Sequence, residues 1–382
     1  MNGAARAVVP AAALLVVASC VSGAKGSSTI VYPAFDAPAG DDASAADVPP
    51  ASDTGAADAT PTDAAPTLLQ PAASPCKSLH LALGAGGLFW SDEASGAIRL
   101  SPTAGGIPVT VVPGESSPRA LVVRGSTMVW AAGTGGFPRV GAASLRSTTI
   151  AGGVPTTVVE PPGGVNGFTV SPDAATVYFA TETTVSSVAT AGGAATVVAR
   201  DLRGGVPTAL ALDGSQIAYL GAVTGHVEVF TLRAGQAAAC TSWTLTDNVA
   251  CTAIVADNGA LFFDAISLVG GVTIWADGAT LKVVDLAQAP PDATTLALTT
   301  AGDVSALAVH GGSVFFADVD STATDGGREG LIEVVSASPS PDAGTPTVLA
   351  RNAGRATSIV VDGTNVIWAT DDCRILSLPL PR

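Results

Sequence analysis

Asp318, Asp320, Thr322 and Glu329 fall at positions 1, 3, 5 and 12 of the stretch "DVDSTATDGGRE". Oxygen donors at those intervals are what a twelve-residue loop uses to wrap a calcium ion. Ala323 stands where such a loop needs glycine for its sharp turn, and β-type sequence flanks it on both sides. Calcium is thus the one cofactor with a candidate site, set against the plainer reading of a solvated loop and no cofactor. Histidine offers less. His80, His226 and His310 have no acid or nucleophile at a recognisable spacing. No GxSxG, P-loop, HExxH or CxxC occurs, so no residue is assigned a catalytic role.

Chemistry of another kind is written at the start of the chain. "MNGAAR" is followed by the apolar run "AVVPAAALLVV" and then by "ASC", ending at Cys20. A charged start, a hydrophobic segment too short to span a bilayer, and small residues before a cysteine describe an export signal. Val17-Ala18-Ser19-Cys20 resembles a bacterial lipobox. The resemblance implies cleavage after residue 19 and acylation of Cys20; an ordinary signal peptide with an incidental cysteine is the alternative. Each buried CH₂ of an acyl chain contributes about 0.8 kcal/mol, so the chain is expected to touch the membrane through this anchor alone. Val21 is not the aspartate that retains such lipoproteins at the inner membrane, so the expected address is the outer membrane of the cell envelope.

Residues 20–65 read as a tether. From Gly26 to Pro75 there is no Lys, Arg or Glu, and seven aspartates are spread among Ala, Pro, Ser and Thr. Such a segment cannot bury enough apolar surface to offset its chain entropy. The whole chain carries 17 basic and 32 acidic residues, a net charge of −15, with the basic residues scattered. Nucleic acid is therefore excluded as a partner.

The elements that would position any site come next. An aromatic, β-rich phrase recurs at intervals of roughly 40 to 50 residues: "GLFWSD" at Gly87, "TMVWAA" at Thr127, "TVYFAT" at Thr176, "QIAYLG" at Gln216, "ALFFDA" at Ala260, "SVFFAD" at Ser313 and "NVIWAT" at Asn365. Around each phrase lie short Val- and Thr-rich runs cut by Gly, Asp-Gly or Pro, a strand signature. Each unit reads as four strands, the last marked by Pro-Thr or Ala-Thr before Val-Val. The fifth unit is taken to begin at Thr252, with "AIVAD" as its first strand and "ALFFDA" as its second.

Repeated four-stranded units predict an all-β propeller over residues 66–382, with seven blades; six or eight also accommodate the irregular fourth and fifth units. The last unit lacks its fourth strand. "PTLLQ" from Pro66 matches "PTVLA" from Pro346, so Thr67–Gln70 is expected to join the last blade and close the ring. Trp90, Trp130, Phe179, Tyr219, Phe263, Phe316 and Trp368 are assigned to packing between blades, since both faces of a blade are covered.

Strand direction also sorts the cysteines. Cys76, in the connection into the first blade, and Cys373, in a turn of the last, emerge on one rim, which favours a Cys76–Cys373 bond. Cys240 and Cys251 remain as the second pair.

The aromatic–Asp endings "FWSD" and "IWATD" resemble YWTD-type repeats of low-density-lipoprotein-receptor propellers and the related NHL-like repeats, over about Pro66 to Arg382. The "GG-x-P-x-T-V-V" endings are similar to those of bacterial secreted propellers. Strict YWTD is absent, and units two and four lack the aspartate. Those departures count against receptor-like ligand binding; the expected function is a surface-tethered, monomeric binding or scaffolding module that uses one rim or the axial funnel to hold a protein, peptide or glycan. An enzyme of lyase or lactonase-type hydrolase class, with an axial metal or acid–base site, is the alternative; polar side chains converging on the funnel would favour it.

Overall fold

The computed structural model describes residues 65–72, 75–133, 144–200, 206–213, 216–223, 226–233, 251–257, 266–269, 272–277, 280–285, 294–298, 302–319, 330–337 and 344–381. The first strand is β1 (Thr67–Gln70). Sheet 1 then comprises β2 (Leu79–Gly84), β3 (Gly87–Asp92), β4 (Ala97–Ser101) and β5 (Val109–Val112). Sheet 2 holds β6 (Arg119–Arg124), β7 (Thr127–Ala132), β8 (Ser144–Thr149) and β9 (Gly152–Val159). In sheet 3 are β10 (Gly167–Val170), β11 (Thr176–Ala180), β12 (Thr184–Ala189) and β13 (Thr196–Arg200). Sheet 4 has β14 (Val206–Asp213), β15 (Gln216–Val223), β16 (His226–Arg233) and β17 (Cys251–Asp257). Sheet 5 has β18 (Ile266–Val269), β19 (Val272–Asp277), β20 (Thr280–Asp285) and β21 (Thr294–Leu298). Sheet 6 has β22 (Asp303–His310), β23 (Ser313–Val319), β24 (Gly330–Ser336) and β25 (Thr347–Ala350). Sheet 7 combines β26 (Ala356–Val361), β27 (Asn365–Thr370) and β28 (Ile375–Pro379) with β1.

The described residues thus form seven four-stranded antiparallel sheets. The first strand of each sheet touches the first strand of the next, and β26 returns to β2, so the sheets form a closed β-propeller.

Four interactions make the closing seam. Strand β1 pairs with β28, Thr67 opposite Ser377 and Leu68 opposite Leu376. Leu69, Leu79, Leu81 and Trp90 pack against Ile367, Ala369 and Ile375. Near the axis the Leu81 N–H donates to Ser358 Oγ at 3.0 Å, and Thr357 Oγ1 donates to the Leu79 carbonyl at 3.3 Å. Cys76 and Cys373 are joined in a disulfide, their Cα atoms 5.7 Å apart.

The recurring aromatics have one job with a fixed direction. Trp90, Trp130, Phe179, Phe316 and Trp368 are buried, and each packs toward the sheet that precedes its own. Where two aromatics adjoin, period-2 alternation sends the other one forward: Phe89 packs toward sheet 2 and Phe315 toward sheet 7. Tyr219 lies on β15 in the corresponding place. The Gly-Gly pairs of the endings have a matching role. Gly105, Gly152 and Gly192 adopt φ of 89°, 86° and 89°, and a Cβ on them would stand 3.3 Å from Leu69 Cδ2, 2.9 Å from the Val111 carbonyl and 3.1 Å from the Thr157 carbonyl. Each hairpin therefore leans on the outer strand of the preceding sheet, most closely at Gly152, and the positive φ at all three favours glycine.

The expected fifth unit is corrected. Residues Cys251–Asp257 are the outer strand of sheet 4, paired with β16 from His226–Asp257 to Leu232–Cys251. The aromatic strand of sheet 5 is "VTIWAD", Val272–Asp277, with Trp275 opposite Ile266. Phe263 of "ALFFDA" lies outside the described residues. An apolar β run carries no mark of being an inner or an outer strand, and an open edge on β16 decides for the latter.

Deleting residues 66–76 removes β1, the burial of Leu69 and the disulfide together. Unfolding free energy is expected to fall by roughly 4 to 7 kcal/mol, read as a lower midpoint in thermal circular dichroism. An unchanged midpoint would refute the seam.

Candidate functional site

First and third strands run one way in each sheet, second and fourth the other. The links between sheets and the second-to-third turns therefore share one rim, the connecting rim. First-to-second turns and third-to-fourth hairpins share the opposite, hairpin rim. The charged side chains that pair across sheets gather on the connecting rim.

Glu93, in the turn after β3, is buried and accepts a hydrogen bond from Arg119 Nη2 of sheet 2 at 2.7 Å, with Lys77 Nζ 3.5 Å away. A buried carboxylate is tolerated because opposite charges lie this close. His80 lies on β2, with Ser78 Oγ 3.3 Å from its Nε2. Burial pulls the His80 imidazole down from 6.5 to about 4. The Glu93 carboxylate acts in the opposite direction and the Arg119 guanidinium reinforces burial. His80 is a neutral ring at pH 7.

Glu115, on the link from sheet 1 to sheet 2, is the neighbouring anchor. Its Oε2 accepts from Trp130 Nε1 at 3.0 Å and lies 3.2 Å from Arg146 Nε, while its backbone N–H donates to the Gly96 carbonyl at 2.8 Å. Trp368 makes the same contact with a plain carbonyl, its Nε1 donating to Ala353 O at 2.9 Å. A buried indole N–H needs an acceptor, and the link into its own sheet supplies one.

Between sheets 2 and 3 the link opens into a cleft of about 390 Å³. Val159, Pro161, Pro162 and Phe179 give it apolar walls, and Glu160 adds a carboxylate. Thr181, Thr184 and Ser186 line the polar side as a chain of hydroxyls: Thr181 Oγ1 is 2.9 Å from Thr184 Oγ1, which is 3.4 Å from Ser186 Oγ. Apolar walls with a few convergent polar groups are the usual make-up of a small-ligand site. Its volume lies at the small end of such sites, enough for one sugar ring or one or two peptide side chains.

The residues singled out in sequence fare unequally. Asp318 is corrected: it is a fully buried residue within β23, paired with Val304 and Leu331, and not part of a solvated loop. The strand runs on to Val319, which pairs with Gly330, so backbone pairing claims the first position of the calcium template. Asp320, Thr322 and Glu329 lie outside the described residues. No cluster of three or more His, Cys, Asp or Glu able to hold a metal occurs among the described residues. Cys76 and Cys373 are brought together; Cys251 opens β17, while Cys240 and Cys20 lie outside the described residues. His226 and His310 stand at strand ends far along the chain from His80. Sequence reading did not find Glu93, Glu115, Arg119 or the cleft. "EPP" at Glu160 was the one visible signal, a double proline in a link between sheets.

No family model and no curated protein matches this chain. Solved structures match over most of its length at low identity. A catalytically inactive virginiamycin B lyase from Staphylococcus aureus, crystallised with Quinupristin, is 10% identical, with 83% of this chain and 100% of that chain covered and a TM-score of 0.60. The WD40 β-propeller domain of Doa1 is 10% identical, with coverages of 83% and 98% and a TM-score of 0.56. Hydrazine synthase of Kuenenia stuttgartiensis is 12% identical, with coverages of 81% and 98% and a TM-score of 0.55. At these identities what is shared is the fold.

His80 sets a pH dependence with a definite sign. Its folded value lies below its unfolded value, so between pH 6.5 and about 4 the unfolded chain binds more protons. Stability is expected to hold above pH 6.5 and to decline as the pH falls to 4, in urea titrations at pH 7, 5.5 and 4.5. His80→Gln should flatten that decline; an equal decline in the variant would show that His80 is not its source.

Proposed function

We propose that this chain is an exported lipoprotein of the bacterial envelope whose propeller is a binding or scaffolding module for a protein, peptide or glycan. Cys20 carries the acyl anchor, the outer membrane is its address, the repeats are of YWTD-like type, and the protein is a monomer. The cleft between sheets 2 and 3 is the observation that carries the binding role. It combines a hydroxyl chain, proline and phenylalanine walls and one carboxylate on the rim where the sheet links lie. A propeller displays side chains from successive sheets on such a rim, so one cleft can be extended by contacts on its neighbours.

A second reading, a propeller enzyme of lyase or hydrolase type, is favoured by one observation. His80 presents a neutral imidazole 3.3 Å from Ser78 Oγ and beside Glu93, a group able to accept a proton.

A photo-reactive residue in place of Thr183, exposed beside the cleft, tests the first reading in intact cells. One discrete adduct is expected, lost when Ala195→Trp fills the cleft. No adduct, or one indifferent to Ala195→Trp, would overturn the binding role there. Metabolic labelling with a fatty acid should mark the parent chain and not Cys20→Ser; an unlabelled parent would remove the anchor.

A further inference from the structure

Two residues on the hairpin rim are exposed far beyond what their chemistry favours. Ile107 is 91% and Val154 89% exposed. They occupy the same place in successive sheets, after a Gly-Gly pair and before proline, in "GGIP" and "GGVP". A single exposed apolar residue is ordinary. Here Leu68 and Val109, 52% and 57% exposed, lengthen the pair into a strip. Close contacts between the sheets make it continuous. Gly105 lies against Leu69, Gln70 Nε2 donates to the Gly106 carbonyl at 2.8 Å, and Gly152 lies against Val111.

The strip is also neutral. Residues 101–110, 149–157 and 190–196 contain no charged side chain, in a chain of 49 charged residues (17 basic plus 32 acidic). The charges nearby are Arg124, which ends β6, and Asp173 and Asp362 on first-to-second-strand turns. Strand β1 begins on this rim, where Leu68 stands.

We propose that the hairpin rim of sheets 7, 1 and 2 docks on the surface of a lipid bilayer, with Ile107 and Val154 reaching the headgroup–acyl boundary. The strip suits that occupant better than a second copy of the chain. Four side chains fall well short of the roughly 800 Å² per partner of a stable protein interface. Pro108 and Pro155 interrupt the edges on which another strand would pair. Shallow insertion needs neither a large area nor backbone pairing. Membrane contact is then not through the anchor alone, and the cleft and the Glu93–Arg119 pair face away from the lipid.

Flotation of the mature chain, residues 20–382 carrying Cys20→Ser, with vesicles of equal parts phosphatidylcholine and phosphatidylethanolamine, tests this with neither the signal segment nor an acyl chain present. Half of the protein should float at roughly millimolar lipid. Ile107→Asp with Val154→Asp should raise that midpoint at least about tenfold, and Ile107→Trp with Val154→Trp should lower it severalfold. Thr183→Asp on the opposite rim should leave it unchanged, and all variants should melt like the parent. No flotation at about 10 mM lipid, or flotation indifferent to both tip pairs, would overturn the proposal. So would a dimer in light scattering that the aspartate pair dissolves, which would give the strip to a second copy. Because Cys20 is absent throughout, none of these outcomes bears on the acyl anchor.

Discussion

Strand β1 sits beside β28, at the far end of the chain from its own position, and the rest of the molecule depends on that pairing. A propeller sheet has no core of its own. It is covered by the sheet before it and the sheet after it, so each apolar face is stable only while both neighbours are present. If the seam between sheets 7 and 1 opens, Trp90 and Ile367 lose their cover, and the fault is free to spread in either direction. Backbone pairing, the leucine cluster, the Thr357 and Ser358 hydrogen bonds and the disulfide all bear on that one joint.

Packing around the ring has a sense. The buried aromatics at the marked position of the phrase lean on the preceding sheet, and so do the first glycines of the hairpins. The two devices act at different radii. The aromatics fill the wedge near the second strands, whereas the glycines bring backbone against backbone at the outer strands. Polar contacts on the connecting rim follow the same logic: Glu115 and the Ala353 carbonyl meet an indole where the chain passes from one sheet to the next. This is where a site can be assembled from several sheets without disturbing their faces, and it is the rim on which the proposed binding cleft opens.

Much of this was legible in the sequence because period and composition report local structure. The aromatic phrase, the strand-like runs and the displaced "PTLLQ" give the fold class and its closure. Sheets 4 and 5 were read wrongly where local signals tie: "ALFFDA" and "VTIWAD" are equally good aromatic strands, and only pairing with β16 shows that Cys251–Asp257 is an outer strand. The charged contacts were not legible at all. Glu93 and Arg119 are 26 residues apart in different sheets, and nothing in either neighbourhood names the other. Asp318 was placed in a loop, whereas backbone pairing sets it in β23; the other three residues of that template lie outside the described residues. His80 could be placed on a first strand, but its neutral state depends on burial that only the assembled sheets provide.

Joining the earliest strand to the latest also governs how the protein is made. Until Ile375–Pro379 has entered sheet 7, Thr67–Gln70 has no partner. Six sheets can form in turn behind it, yet the seventh must wait. The newborn molecule therefore passes through a stage with an unsatisfied edge and a bare leucine face, the features that chaperones bind and that aggregation exploits. Its vulnerable interval lasts until Thr67 meets Ser377, a long-range contact that no local folding step supplies.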